Sequence, residues 1–149
     1  MELKIKAVSP KLGGELPLPY YASPGAAAMD LHACLDEPLT LSPGALVSIP
    51  TGLAIALPSA AYMALVFARS GLGVKHGIAL SNGVGVIDSD YRGEIRVGLT
   101  NLSDTPYTVQ PGDRVAQLAV VPVVQARLVP VEDLGETARG TGGFGSTGL

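Results

Sequence analysis

The chain has 149 residues, 47% of them apolar and 15% charged, with a formal net charge of −3. That size suits one domain with a hydrophobic core, and that composition excludes general disorder. The acidic balance excludes a broad basic footprint for nucleic acid or an acidic membrane, yet leaves room for a small anion held by a few arginines.

Taken in order, residues 1–8 alternate like an edge strand and lack the long apolar core of a secretory leader. Short apolar runs then recur at residues 39–41, 45–49, 53–57, 62–67, 78–80, 107–109, 115–121 and 126–129. Turn chemistry separates them, as at Ser42-Pro-Gly44, Pro50-Thr-Gly52, Ser103-Asp-Thr-Pro106 and Gln110-Pro-Gly-Asp113. Many short strands with closely spaced turns predict an all-β sandwich or barrel. One short helix is expected over residues 70–76, although Gly71 and Gly73 weaken it. Every apolar run stops well short of the ~20 residues a membrane span needs, so a soluble chain is expected. Cys34 is the single cysteine, which excludes an intrachain disulfide and a thiolate metal cluster and leads us to expect an intracellular, cytoplasmic setting.

Polar clusters interrupt this apolar pattern. Gly85-Val-Ile-Asp-Ser-Asp-Tyr-Arg-Gly-Glu-Ile95 puts two carboxylates, a tyrosine and an arginine between strand-like flanks. A hairpin is expected there, with Asp88 beside a buried Ile87, where a partly desolvated carboxylate works as a base; a polar turn whose acids face water is the plainer alternative. Arg69-Ser-Gly71 joins a strand to the helix and reads either as an anion site at a helix start or as a Ser70 N-cap with a solvent-facing Arg69. Gln117 lies in an apolar strand, so its amide either approaches buried surface and needs a partner or points to the wet face. Asn82 either reads a ligand amide or caps a turn. His32 and His76 show no metal-ligand spacing. The last residues, 139–148, hold Phe144 as their only apolar side chain among glycines, hydroxyls and Arg139. They cannot fold alone, and read either as a frayed end or as a lid whose glycine backbone wraps phosphates. The organisation expected is a β domain over residues 1–138 with a Gly-rich lid at 139–149 belonging to it.

In this order, Ala28-Met-Asp-Leu31, residues 68–77, residues 82–94, Gly112-Asp-Arg-Val-Ala-Gln-Leu118 and residues 139–148 resemble the five motifs of the trimeric deoxyuridine triphosphatases. The likeness spans nearly the whole chain and is most specific in the third and fifth motifs. It departs at Ala26-Ala-Ala28, where the family often carries a glycine before Asp30.

The resemblance implies a homotrimeric distorted jelly roll of the β-clip type with at most one short helix. It implies hydrolysis of dUTP to dUMP and pyrophosphate with Mg²⁺, limiting uracil in DNA and supplying dUMP for thymidylate synthesis. Asp88 would activate the water that attacks the α-phosphorus, and Tyr91 would lie against the deoxyribose. Asn82, the backbone of Gly85, Val86 and Ile87, and backbone near Arg96 would read uracil. Arg69, Ser70, Gly71 and Gln117 would hold phosphates and water, with Ser70 steadying the α–β bridging oxygen. Arg139 would reach the γ-phosphate, Phe144 would stack on the base, and Gly145, Ser146 and Thr147 would wrap the phosphates. Mg²⁺ would sit mainly on phosphates and waters, with Asp30 meeting it through a water. The partners implied are the nucleotide and two further copies of the chain, with no nucleic acid and no membrane. A dCTP deaminase of the same fold, or a bifunctional enzyme, is the alternative; it needs a glutamate as proton shuttle, and Glu94 is the only acid on the strand after the acidic turn. A catalytically silent nucleotide-binding protein is the third reading.

Overall fold

Eleven strands and one helix form the computed structural model, which describes residues 1–143. In chain order they are β1 (Lys4–Ala7), β2 (Met29–His32), β3 (Leu39–Leu41), β4 (Leu46–Pro50), β5 (Leu53–Ala56), β6 (Tyr62–Phe67), α1 (Ser70–His76), β7 (Ile78–Leu80), β8 (Gly85–Ile87), β9 (Arg96–Asn101), β10 (Tyr107–Val109) and β11 (Arg114–Pro122). Every named pairing is antiparallel. The largest sheet runs β2-β11-β6-β8, a second runs β4-β9-β7, and β1-β5 and β3-β10 are two-stranded ribbons.

The period of two puts alternate side chains inside. Val97, Leu99 and Asn101 of β9 are buried while Arg96 faces out. Leu31, Leu41, Ile49, Leu53, Ile78, Ile95, Leu99, Val109, Val115 and Leu118 are each at most 1% exposed and pack in one core. Such side chains stabilise the fold by ~1.5–3 kcal/mol apiece. Among the described residues two polar side chains are buried with them, Thr51 and Asn101. Asn101, fully buried, donates to the carbonyls of Leu41 and Thr105, and its Oδ1 accepts from the backbone and hydroxyl of Ser103. That satisfied amide ties the β3, β9 and β10 region together.

The expected all-β architecture with one short helix is what the chain adopts, and the helix covers the expected residues. Its end is set by Gly77, whose φ of 66° is left-handed and whose N–H bonds the carbonyls of Gly73 and Leu72. Two expectations need correction. Residues 126–129 form no strand; Ala126, Leu128 and Val129 lie exposed with no neighbouring strand edge among the described residues. Strand composition without an edge to pair with does not make a strand. Conversely β2, read from sequence only as part of a polar motif, is a strand because β11 supplies its ladder.

Candidate functional site

The acidic turn differs from the hairpin expected of it. β8 pairs with β6, whereas β9 pairs with β4 and β7, so the two flanks belong to different sheets. The physical reason lies at the far end of the loop. The Ile95 N–H donates to the Leu53 carbonyl at 2.8 Å, and the Gly52 N–H donates to Glu94 Oε1 at 2.8 Å. These bonds draw the returning chain onto the β4–β5 turn and away from β8.

Asp88 follows β8 and is exposed, and Ile87 is only half-buried, so within the single chain the desolvated setting expected for the acid is not built. Instead Val86, Ile87, Asp88, Tyr91, Glu94, Ile95 and Arg96 line a cleft of about 200 Å³. The Tyr91 hydroxyl donates to the Glu94 carbonyl at 2.9 Å, which lays the ring over Gly93. A Cβ on Gly93 would stand 2.4 Å from that hydroxyl oxygen, so only glycine permits this pose. β8 is the edge strand of its sheet, so among the described residues the N–H and C=O groups on its outer side have no strand partner. Gly85 lets it approach closely, since a Cβ there would meet Val66 at 3.0 Å.

A second cluster lies at the other end of the same sheet. Register places Asp30 opposite Gln117, and Gln117 opposite Phe67, so the three side chains share one face. Asp30 is mostly buried between two arginines: Arg69 Nε lies 2.9 Å from Oδ1, and Arg114 Nη1 donates to Oδ2 at 3.2 Å. The Arg69 approach is a charge contact, since neither Nε nor Oδ1 has an aligned hydrogen bond. Next to it, His32 has its pKa held below the ordinary imidazole value, first by burial and then by Arg114 and Arg69, against an opposing pull from Asp30.

Arg69 is the N-cap residue of α1, with an extended φ of −89° and ψ of 132°, and no side chain caps the helix. Ser70 is therefore the first helical residue, its hydroxyl free of the capping role, and Arg69 is folded onto Asp30 instead of facing solvent. Asn82 is exposed, and its backbone carbonyl, not its amide, takes the Val84 N–H of the turn. Arg139 Nε bonds the Gly142 carbonyl at 2.9 Å within its own exposed turn. Phe144, Gly145, Ser146 and Thr147 lie outside the described residues.

Within the single chain, then, two groups form. Asp88, Tyr91, Arg96, Val86 and Ile87 share the cleft, while Arg69, Gln117 and Asp30 gather elsewhere. Ala64, opposite Ile87, and Phe67, opposite Gln117, set their separation along β6, about 10 Å at ~3.3 Å per residue. Sequence reasoning missed Arg114, whose place beside Asp30 depends on the β2–β11 register. Glu94 is the acid that the deaminase alternative would need as its proton shuttle. Both of its oxygens are engaged, Oε1 by Gly52 and Oε2 by Arg96 at 3.2 Å, so it is no free proton shuttle. A larger recess of about 410 Å³ is lined mostly by apolar residues, including Leu3, Ile5, Met29 and Val120, with Tyr21 beside them.

What the fold and these clefts define is a small all-β protein with a polar cluster at each end of one sheet. Residues 14–148 match the dUTPase family model, and the chain belongs to that family. It is 50% identical over 147 residues to the deoxyuridine 5′-triphosphate nucleotidohydrolase of Idiomarina loihiensis, covering 99% of this chain and 97% of that one. It is 58% identical over 132 residues to the protein of the same name from Desulfitobacterium hafniense, covering 89% and 87%. Among solved structures it resembles the Staphylococcus bacteriophage 80alpha dUTPase with dUPNHPP, with a TM-score of 0.86, 25% identity and 99% of each chain covered. A mutant dUTPase from phage phi11 of S. aureus, whose structure describes the coordination of a structural Mg(II) ion, matches with a TM-score of 0.77 and 23% identity over 90% of this chain and 99% of that one.

Proposed function

We propose that the chain hydrolyses dUTP to dUMP and pyrophosphate, with Asp88 as the base that activates water for attack on the α-phosphorus. Family membership supports the activity. The observation that carries the site assignment is the edge of β8, without a strand partner among the described residues, running into an acid-bearing loop beside a cleft.

Backbone N–H and C=O groups on that edge, from Gly85, Val86 and Ile87, read the uracil edge as a neighbouring strand would, with the Asn82 amide and backbone at Arg96 completing the wall. Cytosine presents a donor where uracil presents an acceptor. A buried polar group then loses its partner at a cost of ~1–3 kcal/mol, and a like pole faces it. Thymine adds a methyl group, which a close-packed wall rejects by overpacking. Tyr91 stands against C2′ of the sugar and leaves no space for a ribose hydroxyl.

Arg69, Ser70, Gly71 and Gln117 hold the phosphates, Ser70 at the α–β bridging oxygen, and Asp88 takes a proton from water placed in line with the leaving pyrophosphate. Arg139 supports the γ-phosphate. Phe144, Gly145, Ser146 and Thr147 close over the base and phosphates, and water exclusion strengthens each charge interaction inside.

The donor set fits Mg²⁺ held largely by substrate. No cluster of three acidic, His or Cys side chains occurs among the described residues, and Asp30 already bridges two arginines, so it suits contact through a water. That is ordinary for Mg²⁺, which keeps several waters and leans on substrate phosphates. When bound, the ion supplies neutralisation of the triphosphate charge.

A single protomer keeps the Asp88 cleft and the Arg69–Gln117 cluster about 10 Å apart along β6, which supports sites shared between copies in a homotrimer. A cytoplasmic location accompanies this role beside the nucleotide pool. The test is pyrophosphate release measured side by side with dUTP, dCTP, dTTP and UTP. Release from dUTP alone is expected; equal rates across the four would end the base-reading account, and ammonia from dCTP would mark a deaminase.

A further inference from the structure

The wall that carries Tyr91 is braced from behind. The Tyr91 hydroxyl is tethered to the Glu94 carbonyl, so the ring goes where the backbone of residues 93–95 goes. That backbone is held by the Glu94 side chain, only about a quarter exposed, which accepts the Gly52 N–H at 2.8 Å through Oε1 and the Arg96 guanidinium at 3.2 Å through Oε2. Arg96 in turn grips β4, donating from Nε to the Ser48 hydroxyl and from Nη2 to the Ser48 carbonyl, both at 3.0 Å. The anchor itself is stiff. Gly52 has a φ of 69°, and a Cβ there would lie 2.9 Å from Ser9 Cβ and 3.1 Å from Cys34 Sγ. Thr51 Oγ1 donates to the Ile95 carbonyl at 2.6 Å from the same turn.

We propose that Glu94 is the positioning residue for sugar discrimination, fixing Tyr91 against the site of a ribose 2′-hydroxyl by clamping the loop to the Ser48–Gly52 segment. This rests on the reading of Tyr91 as the sugar wall. Excluding one oxygen atom demands that the ring stay within a fraction of an ångström of its place, and a side chain holds such a place only when its support is rigid. A carboxylate bonded to a backbone N–H and a guanidinium is a charge-assisted clamp of that kind. It acts on the loop and not on the substrate, so its loss falls on selectivity more than on chemistry.

The experiment compares wild type, Glu94→Ala and Glu94→Gln by kcat and KM for dUTP and for UTP, with melting temperature for each. The alanine variant is expected to lower the dUTP:UTP ratio of kcat/KM by up to roughly a hundredfold, the scale on which a misplacement of about 1 Å acts. Glutamine keeps the acceptor for the Gly52 N–H and is expected to restore most of the ratio at a melting temperature near the alanine variant's. A ratio unchanged in Glu94→Ala, whatever its melting temperature, overturns the inference. Should Glu94→Ala fail to fold, Ser48→Ala removes the hydroxyl acceptor from the same brace and is read the same way. Wild-type enzyme that releases pyrophosphate equally from dUTP and UTP would instead remove the Tyr91 reading, and the inference with it, without touching the clamp's geometry.

Discussion

Asp88 and Glu94 bracket one loop and face opposite chemical situations. Asp88 is exposed, with no partner fixed to its carboxylate among the described residues, whereas Glu94 is bonded through both oxygens. A free acid at the cleft mouth suits a base and a clamped one suits a support. Replacing Asp88 by Asn keeps its shape and removes its basicity, so turnover should fall by roughly 10²–10⁴. Binding of a non-hydrolysable dUTP analogue should survive, and calorimetry beside a turnover assay checks both; undiminished turnover would take Asp88 out of the mechanism. At Asn101 the expected effect is on stability alone. Its amide serves Leu41, Ser103 and Thr105 in a fully buried place, so Asn101→Ala should cost about 2–3 kcal/mol through orphaned polar groups. Chemical denaturation measures that, and a change below about 0.5 kcal/mol, the size of a neutral surface substitution, would mean water repairs the gap.

At the scale of the element, the β2–β11 ladder gathers charge that neither strand announces alone. His32 lies opposite Arg114, and its neighbours Arg114 and Arg69 join burial in lowering its pKa, with Asp30 opposing them. A histidine whose folded pKa is depressed binds a proton more readily once unfolded. Its contribution to stability is therefore complete above the unfolded value near 6.5 and is lost as the pH falls from there through the lowered folded value. Melting temperature should decline from about pH 7 to about pH 5, and His32→Asn should flatten that slope; an identical slope in both proteins would assign the decline to other groups. The element scale is also where reading by sequence was most and least successful. Helix α1 and strands β3, β6, β7 and β10 lie where apolar runs and turn residues put them, because periodicity and Gly–Pro punctuation are local signals. The Asp88 loop was legible as a polar turn but not as architecture, since turn residues announce a bend without naming the sheet that receives the chain afterwards.

For the molecule as a whole, the separation of the two polar clusters carries the strongest consequence. If one site needs Asp88 from one copy and Arg69 from another, two inactive proteins should rescue each other. Mixing Asp88→Asn with Arg69→Ala, after unfolding and refolding together, should restore measurable dUTP hydrolysis, while each refolded alone stays inactive. No recovery, from a mixture shown by sedimentation to assemble, would put both residues to work within a single chain. The exposed stretch after β11 bears on the same point, for Val124, Leu128 and Leu134 are each about nine-tenths exposed in the single chain, an unusual place for apolar side chains that lack a covering surface.

Read alone, the sequence determined the strand-rich class, the short helix and the inventory of polar motifs, since alternation, turn residues and residue chemistry are written along the chain. Only tertiary structure decided that β8 and β9 part company, that Arg114 joins Arg69 on Asp30, and that Glu94 braces Tyr91 from Gly52. These are choices among distant partners, and a strand's own pattern records which face it buries but not whose edge it meets.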